Sequence, residues 1–361
     1  MKILIGADVV PTEATEKYFV NGDVETLFGG ICNLAKNYDR VIINLECALT
    51  ESDGAIKKFG PNIKASPKST NALKALGVTD IMLSNNHVFD FGTQGLRDTM
   101  AALDEAGIPY TGVGENDTDS RKPYFIEGAG KRIGIVNVSE HEYNYATEGR
   151  LGANPYDPYL TMEDIRNTRA VADFVIVIYH GGKEHCRYPS PRLRNLSHEM
   201  IRVGADAVIM QHSHCIGCYE KFEGGHIVYG QGNFNFSYGE VEKKPTWYTS
   251  LLVELDIEKE MNISFHPIVT TLTGCDLARG KDAVEILTAF NERNASLLDG
   301  SWRDGWHAFC TSEEIFNNYT EKVEREFDDD EKRQLFAHFL DCEAHTDVWR
   351  ELYPTWNHTN D

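Results

Sequence analysis

The stretch Ser84-Asn85-Asn86-His87-Val88-Phe89-Asp90-Phe91-Gly92 follows the apolar run Ile81-Met82-Leu83 and precedes a helical pattern that opens near Thr93. An amide, an imidazole and a carboxylate therefore sit together where a buried strand ends. In α/β proteins, ligands and catalytic groups gather at the carboxyl ends of strands. By itself the stretch reads equally well as a polar strand-to-helix loop with a capping Asn. The rest of the chain decides between the two.

The same arrangement recurs on both sides of it. Residues 2–7 read as a short buried strand that delivers Asp8 to its end, and Val41-Ile42-Ile43 runs into Asn44-Leu45-Glu46. Further on, the β-branched run 174–179 ends in His180-Gly181-Gly182-Lys183-Glu184-His185, and 206–210 ends in Gln211-His212-Ser213-His214. Residues 227–230 precede Gln231-Gly232-Asn233-Phe234. Between these strands the spacing predicts helices over 24–38, 67–76 (Ser66 as cap, Pro67 in the first turn), 93–106 (closed by Gly107), 161–172 (Thr161 and Asp164 in capping-box spacing) and 191–203. A hairpin is expected over 124–127 and 132–138, a loop or lid over 140–160, and edge or hairpin strands over 249–255 and 263–270. From about 282 the character changes to acidic amphipathic helices, over 282–297, 311–326 and 330–352, without strand signals. This divides the chain into a domain at 1–275 and a helical extension at 276–361. The aromatics of the extension (Trp302, Trp306, Phe309, Trp349, Tyr353, Trp356) read as core or as a docking face.

The composition is globular, with 41% hydrophobic and 25% charged residues in 361. A formal charge of −21 repels nucleic acid and anionic membrane surfaces, and both are discounted as partners. The eight cysteines are scattered, which is not the framework of a small disulfide-rich domain. The single CxxC, Cys215 to Cys218, does not make a four-cysteine zinc site. No 18-residue apolar segment exists to span a bilayer, and Met1 to Asp8 leaves no room for a signal peptide, so a cytoplasmic location is expected.

Singly, Asp8 reads as a helix cap, Glu46 as a solvated loop residue and His180 as a core histidine. Jointly, Asp8, Glu46, Asn86, His180, His212 and His214 place metal-capable donors at the ends of five separate strands. Such an N/O set suits two divalent ions roughly 4 Å apart, bridged by a carboxylate. Ions so placed clamp a phosphoryl group and make hydroxide available from bound water near neutral pH.

The order Asp, strand-end acid, Asn-His, His, His-x-His resembles the calcineurin-like metallophosphoesterase superfamily. More closely, the chain is similar to the CapA family, named for poly-γ-glutamate capsule synthesis. The matching text is Asn44-Leu45-Glu46-Cys47-Ala48-Leu49-Thr50, Asn85-Asn86-His87 with Asp90-Phe91-Gly92, Gly112-Val113-Gly114-Glu115-Asn116, His180 to Glu184, Gly204-Ala205-Asp206, His212-Ser213-His214 and Gly232-Asn233-Phe234. It covers about residues 1–270. Unlike the wider superfamily, the first motif has no imidazole (Asp8-Val9-Val10), and Glu46 replaces the usual Gly-Asp bridge. The CapA family shares both changes.

The resemblance implies a four-layer α/β/β/α sandwich of the metallo-dependent phosphatase type, followed by the helical extension. It implies two divalent ions (Mn, Fe or Zn): Asp8, His214 and Glu46 hold one, and Glu46, Asn86, His180 and His212 hold the other. His87 is then the acid that protonates the leaving oxygen, with Asp90 as its orienting carboxylate. Asn44, Glu184, His185 and Asn233 are expected to bind substrate, with support of His180 as the alternative for Glu184 and His185. The implied activity is phosphoester hydrolysis. The alternatives are a component that assembles or binds the capsule polymer, or hydrolysis or transfer at an amide bond by the same metal site. The substrate is thus a small molecule or a polymer with ester or acidic groups. The acidic extension is expected to cover the cleft rim or an edge strand, or to form a homodimer contact.

Overall fold

In a computed structural model, which describes residues 1–239, 245–324 and 330–353 (side chains at 245, 320–324, 330 and 331 excepted), two β-sheets face each other with helices on both outer sides. The first sheet runs in the order Gly274–Leu277, Met261–Thr271, Thr249–Ile257, Lys2–Val9, Arg40–Leu45, Asp80–Met82, Tyr110–Thr111, with Asn233–Asn235 also pairing to Lys2–Val9. The second runs Tyr219–Phe222, Gly225–Val228, Ala207–Gln211, Phe174–His180, Lys131–Ser139, Tyr124–Gly128.

Side-chain alternation explains the layering, because neighbouring residues of a strand point to opposite faces. Along Phe174–His180, the residues Phe174, Ile176 and Ile178 fill the space between the sheets, while Val175, Val177 and Tyr179 meet the outer helices. Lys2–Val9 divides likewise, with Ile3 and Ile5 inward and Leu4 toward the helices. A strand buried on both faces reads as one continuous apolar run, the pattern typical of parallel strands under helical cover. Helices Glu16–Asn21, Val24–Phe28, Ile31–Ala35, Thr70–Leu76 and Gly92–Ala106 lie on the first sheet, and Leu160–Arg169 and Pro191–Arg202 on the second. The four-layer α/β/β/α sandwich is therefore the observed architecture.

Lys2–Val9, Arg40–Leu45 and Asp80–Met82 are mutually parallel in one sheet, as are Lys131–Ser139, Phe174–His180 and Ala207–Gln211 in the other. Their carboxyl ends lie on one edge of the sandwich. The register of Lys2–Val9 against Arg40–Leu45 slips between Ile5 and Asp8. The slip coincides with Gly6, where a Cβ would come within 2.5 Å of the Phe234 ring. Such irregularities re-aim a side chain, and here the residue re-aimed is Asp8.

Several local expectations need correction. The helix expected over 24–38 is broken at Gly29-Gly30, because the Asp276 carboxylate occupies the space a Gly29 Cβ would need and accepts from the Gly30 amide at 2.7 Å. Glu16–Asn21 adds a helix that the spacing did not suggest. The Thr161/Asp164 capping box does not form. Asp157 accepts from the Tyr159 and Leu160 amides, both at 2.8 Å, and Asp164 pairs with Arg121. The strands expected as edge or hairpin form an antiparallel hairpin, Thr249–Ile257 against Met261–Thr271, and the first of them is interior to its sheet. Cys215 and Cys218 are buried free thiols, which burial pushes up to about 11 and about 12.

Beyond residue 280 the described helices are Gly280–Asp299, Trp302–Cys310, Glu313–Glu324, Asp330–Asp341 and Glu343–Leu352. Two were not anticipated as separate elements: Trp302–Cys310, and the last, which Cys342 divides from its predecessor with extended backbone. Trp302 and Trp306 are core; residues 325 and 326 and Trp356 lie outside the described residues. Leu297 and Trp302 pack on the second sheet's helices, while Trp306, Cys310, Tyr319, Leu335, Phe339 and Val348 form a cluster with Cys186. Among the described residues no helix is long and apolar enough to cross a membrane.

Candidate metal centre

Asp8, Glu46, Asn86, His180, His212 and His214 all converge on the edge where the parallel strands end. Three donor atoms from three strands crowd one point: Asn86 Oδ1 lies 2.9 Å and Glu46 Oε1 3.3 Å from His180 Nε2. Asp8 lies alongside, 3.8 Å from His180 Nδ1 and 3.6 Å from His214 Nδ1. Glu46, His180 and His212 form one buried group able to hold a cation, and Asp8, Glu46 and His214 form another, with Glu46 common to both. Glu184, His212 and His214 make a third group toward the rim.

Glu46 is fully buried, and neither of its carboxylate oxygens has a hydrogen-bond partner among the described residues. His212 Nδ1 is buried without one as well. A buried carboxylate so left costs several kcal/mol unless a cation answers it. The set of carboxylate, amide and imidazole donors is the chemistry of a borderline divalent ion. The residues present therefore fit a metal.

The electrostatics follow from this crowding. Burial raises the Asp8 carboxyl, and neighbouring Glu46 raises it further, against the pull of His180 and His214. Burial, with His212 alongside, drops His180 to about 3, so its imidazole is neutral and ligand-ready. His212 goes the other way. Burial opposes its proton, but Glu142, with Oε1 3.1 Å from Nε2, brings it up to about 10. A metal taking His212 must displace that proton, which makes affinity fall at low pH. His212 and His214 have φ of 89° and 52°, left-handed conformations that cost roughly 1–3 kcal/mol each and concentrate at functional sites.

The remaining expected residues divide into two sets. His87 lines a cleft of about 340 Å³ beside the cluster. Its Nδ1 lies 2.6 Å from Asp90 Oδ2, which also accepts from the Ile63 amide at 2.7 Å, so Nε2 is the ring nitrogen left for the cleft. Glu184, on the rim with its side chain 42% exposed, approaches His214 Nε2 at 3.9 Å, and the His185 ring leans on Trp247. Asn44 and Asn233 stand behind the ligands, fully buried. Asn44 Nδ2 donates to Asp8 Oδ1 at 2.8 Å, and Asn233 Oδ1 meets His214 Nδ1 at 2.8 Å. Neither lines the cleft, and both are engaged by neighbours within the cluster.

Sequence reasoning missed four contributors. Lys58 is paired with Asp90, its side chain 4% exposed, and sits 3.2 Å from His87 Nδ1; a lysine in a loop gives no signal. Glu142 follows the strand Lys131–Ser139 by three residues, so the strand-end pattern that found the other donors also pointed to it. His338 and His345 come from the last two helices and line the same cleft, far from any strand end.

A buried nitrogen and oxygen cluster on the carboxyl edge of a four-layer sandwich is compatible with metal binding. The comparisons name a family: the bacterial capsule synthesis protein (PGA_cap) model matches residues 2–238, and the chain belongs to that family. The Bacillus anthracis capsule biosynthesis protein CapA is 31% identical over 227 residues, covering 60% of this chain and 55% of that one. The Bacillus subtilis PGA biosynthesis protein CapA is 28% identical over 259 residues, covering 70% and 66%. A probable polyglutamine synthesis accessory protein of Mycobacterium tuberculosis is 29% identical over 209 residues, covering 54% and 55%. The chain thus matches about half to two-thirds of the length of these relatives. Among solved structures, a hypothetical protein from Thermus thermophilus overlays with a TM-score of 0.47 at 18% identity, over 74% of this chain and 98% of that one. A putative 5'-nucleotidase from Staphylococcus aureus overlays at 0.45 and 16%, over 81% and 58%.

Proposed function

We propose that this CapA-family chain is a metal-dependent hydrolase that cleaves a phosphoester. The observation that carries the reading is Glu46, a fully buried carboxylate with two unpartnered oxygens ringed by Asp8, His180, His212 and His214. Asp8, Glu46 and His214 would hold one divalent ion and Glu46, Asn86, His180 and His212 a second, with Mn, Fe or Zn matching the donors. When bound, such ions supply Lewis acidity toward a phosphoryl oxygen and acidify water. The chain's own groups do the rest. His87 delivers a proton from Nε2 to the departing oxygen while Asp90 holds Nδ1, and Lys58 shares the Asp90 charge so that the carboxylate stays in place. Asn44 and Asn233 keep Asp8 and His214 aimed.

A second reading, a component that binds or assembles an acidic polymer, is favoured by Lys58 and Lys183 on the cleft wall and by the polymer-synthesis names of the relatives. An amide bond of such a polymer is the alternative scissile group for the same site. The purified chain is expected to contain near-stoichiometric divalent metal by mass spectrometry and to hydrolyse aryl phosphates with Mn²⁺. His87→Asn should lower kcat about 10²- to 10⁴-fold, the usual worth of a general acid, at unchanged metal content. Metal-free, folded, inactive protein overturns the hydrolase; metal-dependent binding of poly-γ-glutamate without turnover establishes the second reading in its place.

A further inference from the structure

We infer that His338, carried by the helix Asp330–Asp341 outside the family match, is a substrate-binding residue that donates a hydrogen bond from Nδ1 to an anionic oxygen of the substrate. The location of that substrate rests on the hydrolase reading above; the geometry of the donor does not.

His338 stands on the wall shared by the cleft over the metal cluster and a neighbouring cavity of about 460 Å³ lined also by Arg150 and Lys57. Its ring is stacked on Tyr143, with centroids 5.2 Å apart and planes at 25°, and lies 6.4 Å from Phe59 on another side. Both aromatic neighbours come from the family core, so the extension inserts this side chain between two core loops.

Its protonation pattern is set from behind. Tyr319 is fully buried, and its hydroxyl meets His345 Nδ1. Burial holds this phenol far above its usual range, so it keeps its proton, and we assign it as the donor to that ring nitrogen. His345 must then carry its own proton on Nε2, which lies 3.1 Å from His338 Nε2. That nitrogen accepts, and the His338 proton is confined to Nδ1. Burial depresses both imidazoles below their ordinary value, so the pair is neutral and the relay runs one way. The outcome is a neutral, rigidly held N–H on the cleft wall that Lys58 and Lys183 also line. Glu142 and Glu184 share that cleft and face the histidines of the metal cluster. A phosphoryl oxygen and a carboxylate oxygen satisfy this donor equally, and the test separates them.

Long-range ¹H–¹⁵N correlation on the full chain, labelled at histidine and supplemented with Zn²⁺, should show protonated Nδ1 with bare Nε2 for His338 and protonated Nε2 for His345. Addition of inorganic phosphate, and separately of tri-γ-glutamate, should move the His338 Nδ1 signal; the ligand that moves it identifies the anionic group. Reversed protonation, or no movement with either ligand, overturns the assignment. In turnover of an aryl phosphate, His338→Phe keeps the stack and removes the donor. It should raise KM about 10- to 100-fold, as for a lost hydrogen bond to a charged group, with kcat within about twofold. His338→Asn places an amide nitrogen near the position of Nδ1 and should recover most of that loss. An unchanged KM in the His338→Phe variant overturns the inference. If the wild-type chain turns over no ester, the hydrolase reading falls and the resonance experiment decides His338 alone.

Discussion

Glu46 and Glu140 are both buried carboxylates that follow a central parallel strand, and their surroundings could hardly differ more. Glu140 is satisfied on every side: Oε1 accepts from Tyr179 at 2.8 Å and Arg192 at 2.6 Å, and Oε2 from the Gly182 amide at 3.0 Å. Arg192 continues to Asp347 of the last helix, so Glu140 belongs to the apparatus that seats the extension. Glu46 has histidines around it and a hydrogen bond from none of them. Position on the strand end is the same; the partner set separates a satisfied acid from one open to a cation.

The sharpest way to break this contrast is to neutralise each carboxylate. Glu46→Gln should abolish bound metal and, with it, turnover. In chelator-treated protein the same change should raise the melting temperature, because a buried carboxylate without hydrogen bonds has been removed, a gain of about 1–3 kcal/mol. Glu140→Gln should do the reverse. Breaking one side of a buried ion pair costs roughly 3–5 kcal/mol, read as a lower denaturation midpoint, while chemistry at Glu46 persists in whatever fraction stays folded. If both variants lose stability alike in the absence of metal, the distinction drawn from partners fails.

A smaller effect tests whether satisfied carboxylates in general behave as Glu140 does. Burial would raise Glu220, but hydrogen bonds from Arg194, Tyr229 and His198 outweigh it, and its carboxyl is lowered. A folded-state value below the unfolded one contributes stability that is fully present above the unfolded pKa and is lost as pH falls through the folded one. Thermal melts should therefore decline between roughly pH 5 and pH 3, and Glu220→Gln should flatten that decline. A decline of unchanged slope in the variant would assign the acid sensitivity elsewhere.

Legibility in the sequence follows the same physics. Strand ends could be read because a run such as 174–179, buried on both faces, stops abruptly at His180, and the residue after the stop is placed by the sheet rather than by its own loop. Glu142 was equally legible and was passed over because the segment after Ser139 read as loop. His338 and His345 were not legible: an imidazole in an acidic amphipathic helix has many ordinary uses, and only packing against Tyr143 and Tyr319 distinguishes these two. The break at Gly29-Gly30 depended on Asp276, a partner 246 residues away that no local pattern announces.

The left-handed backbone at His212 and His214 has a further consequence, for how the centre treats different ions. Both conformations are held by contacts within the chain, the His212 amide donating to Asp8 at 3.2 Å and the His214 ring packed against Trp247. On the metal reading proposed above, a cation of the wrong radius would have to distort a loop already at the edge of its allowed conformations, so discrimination by size would come from backbone stiffness as well as from the donor atoms.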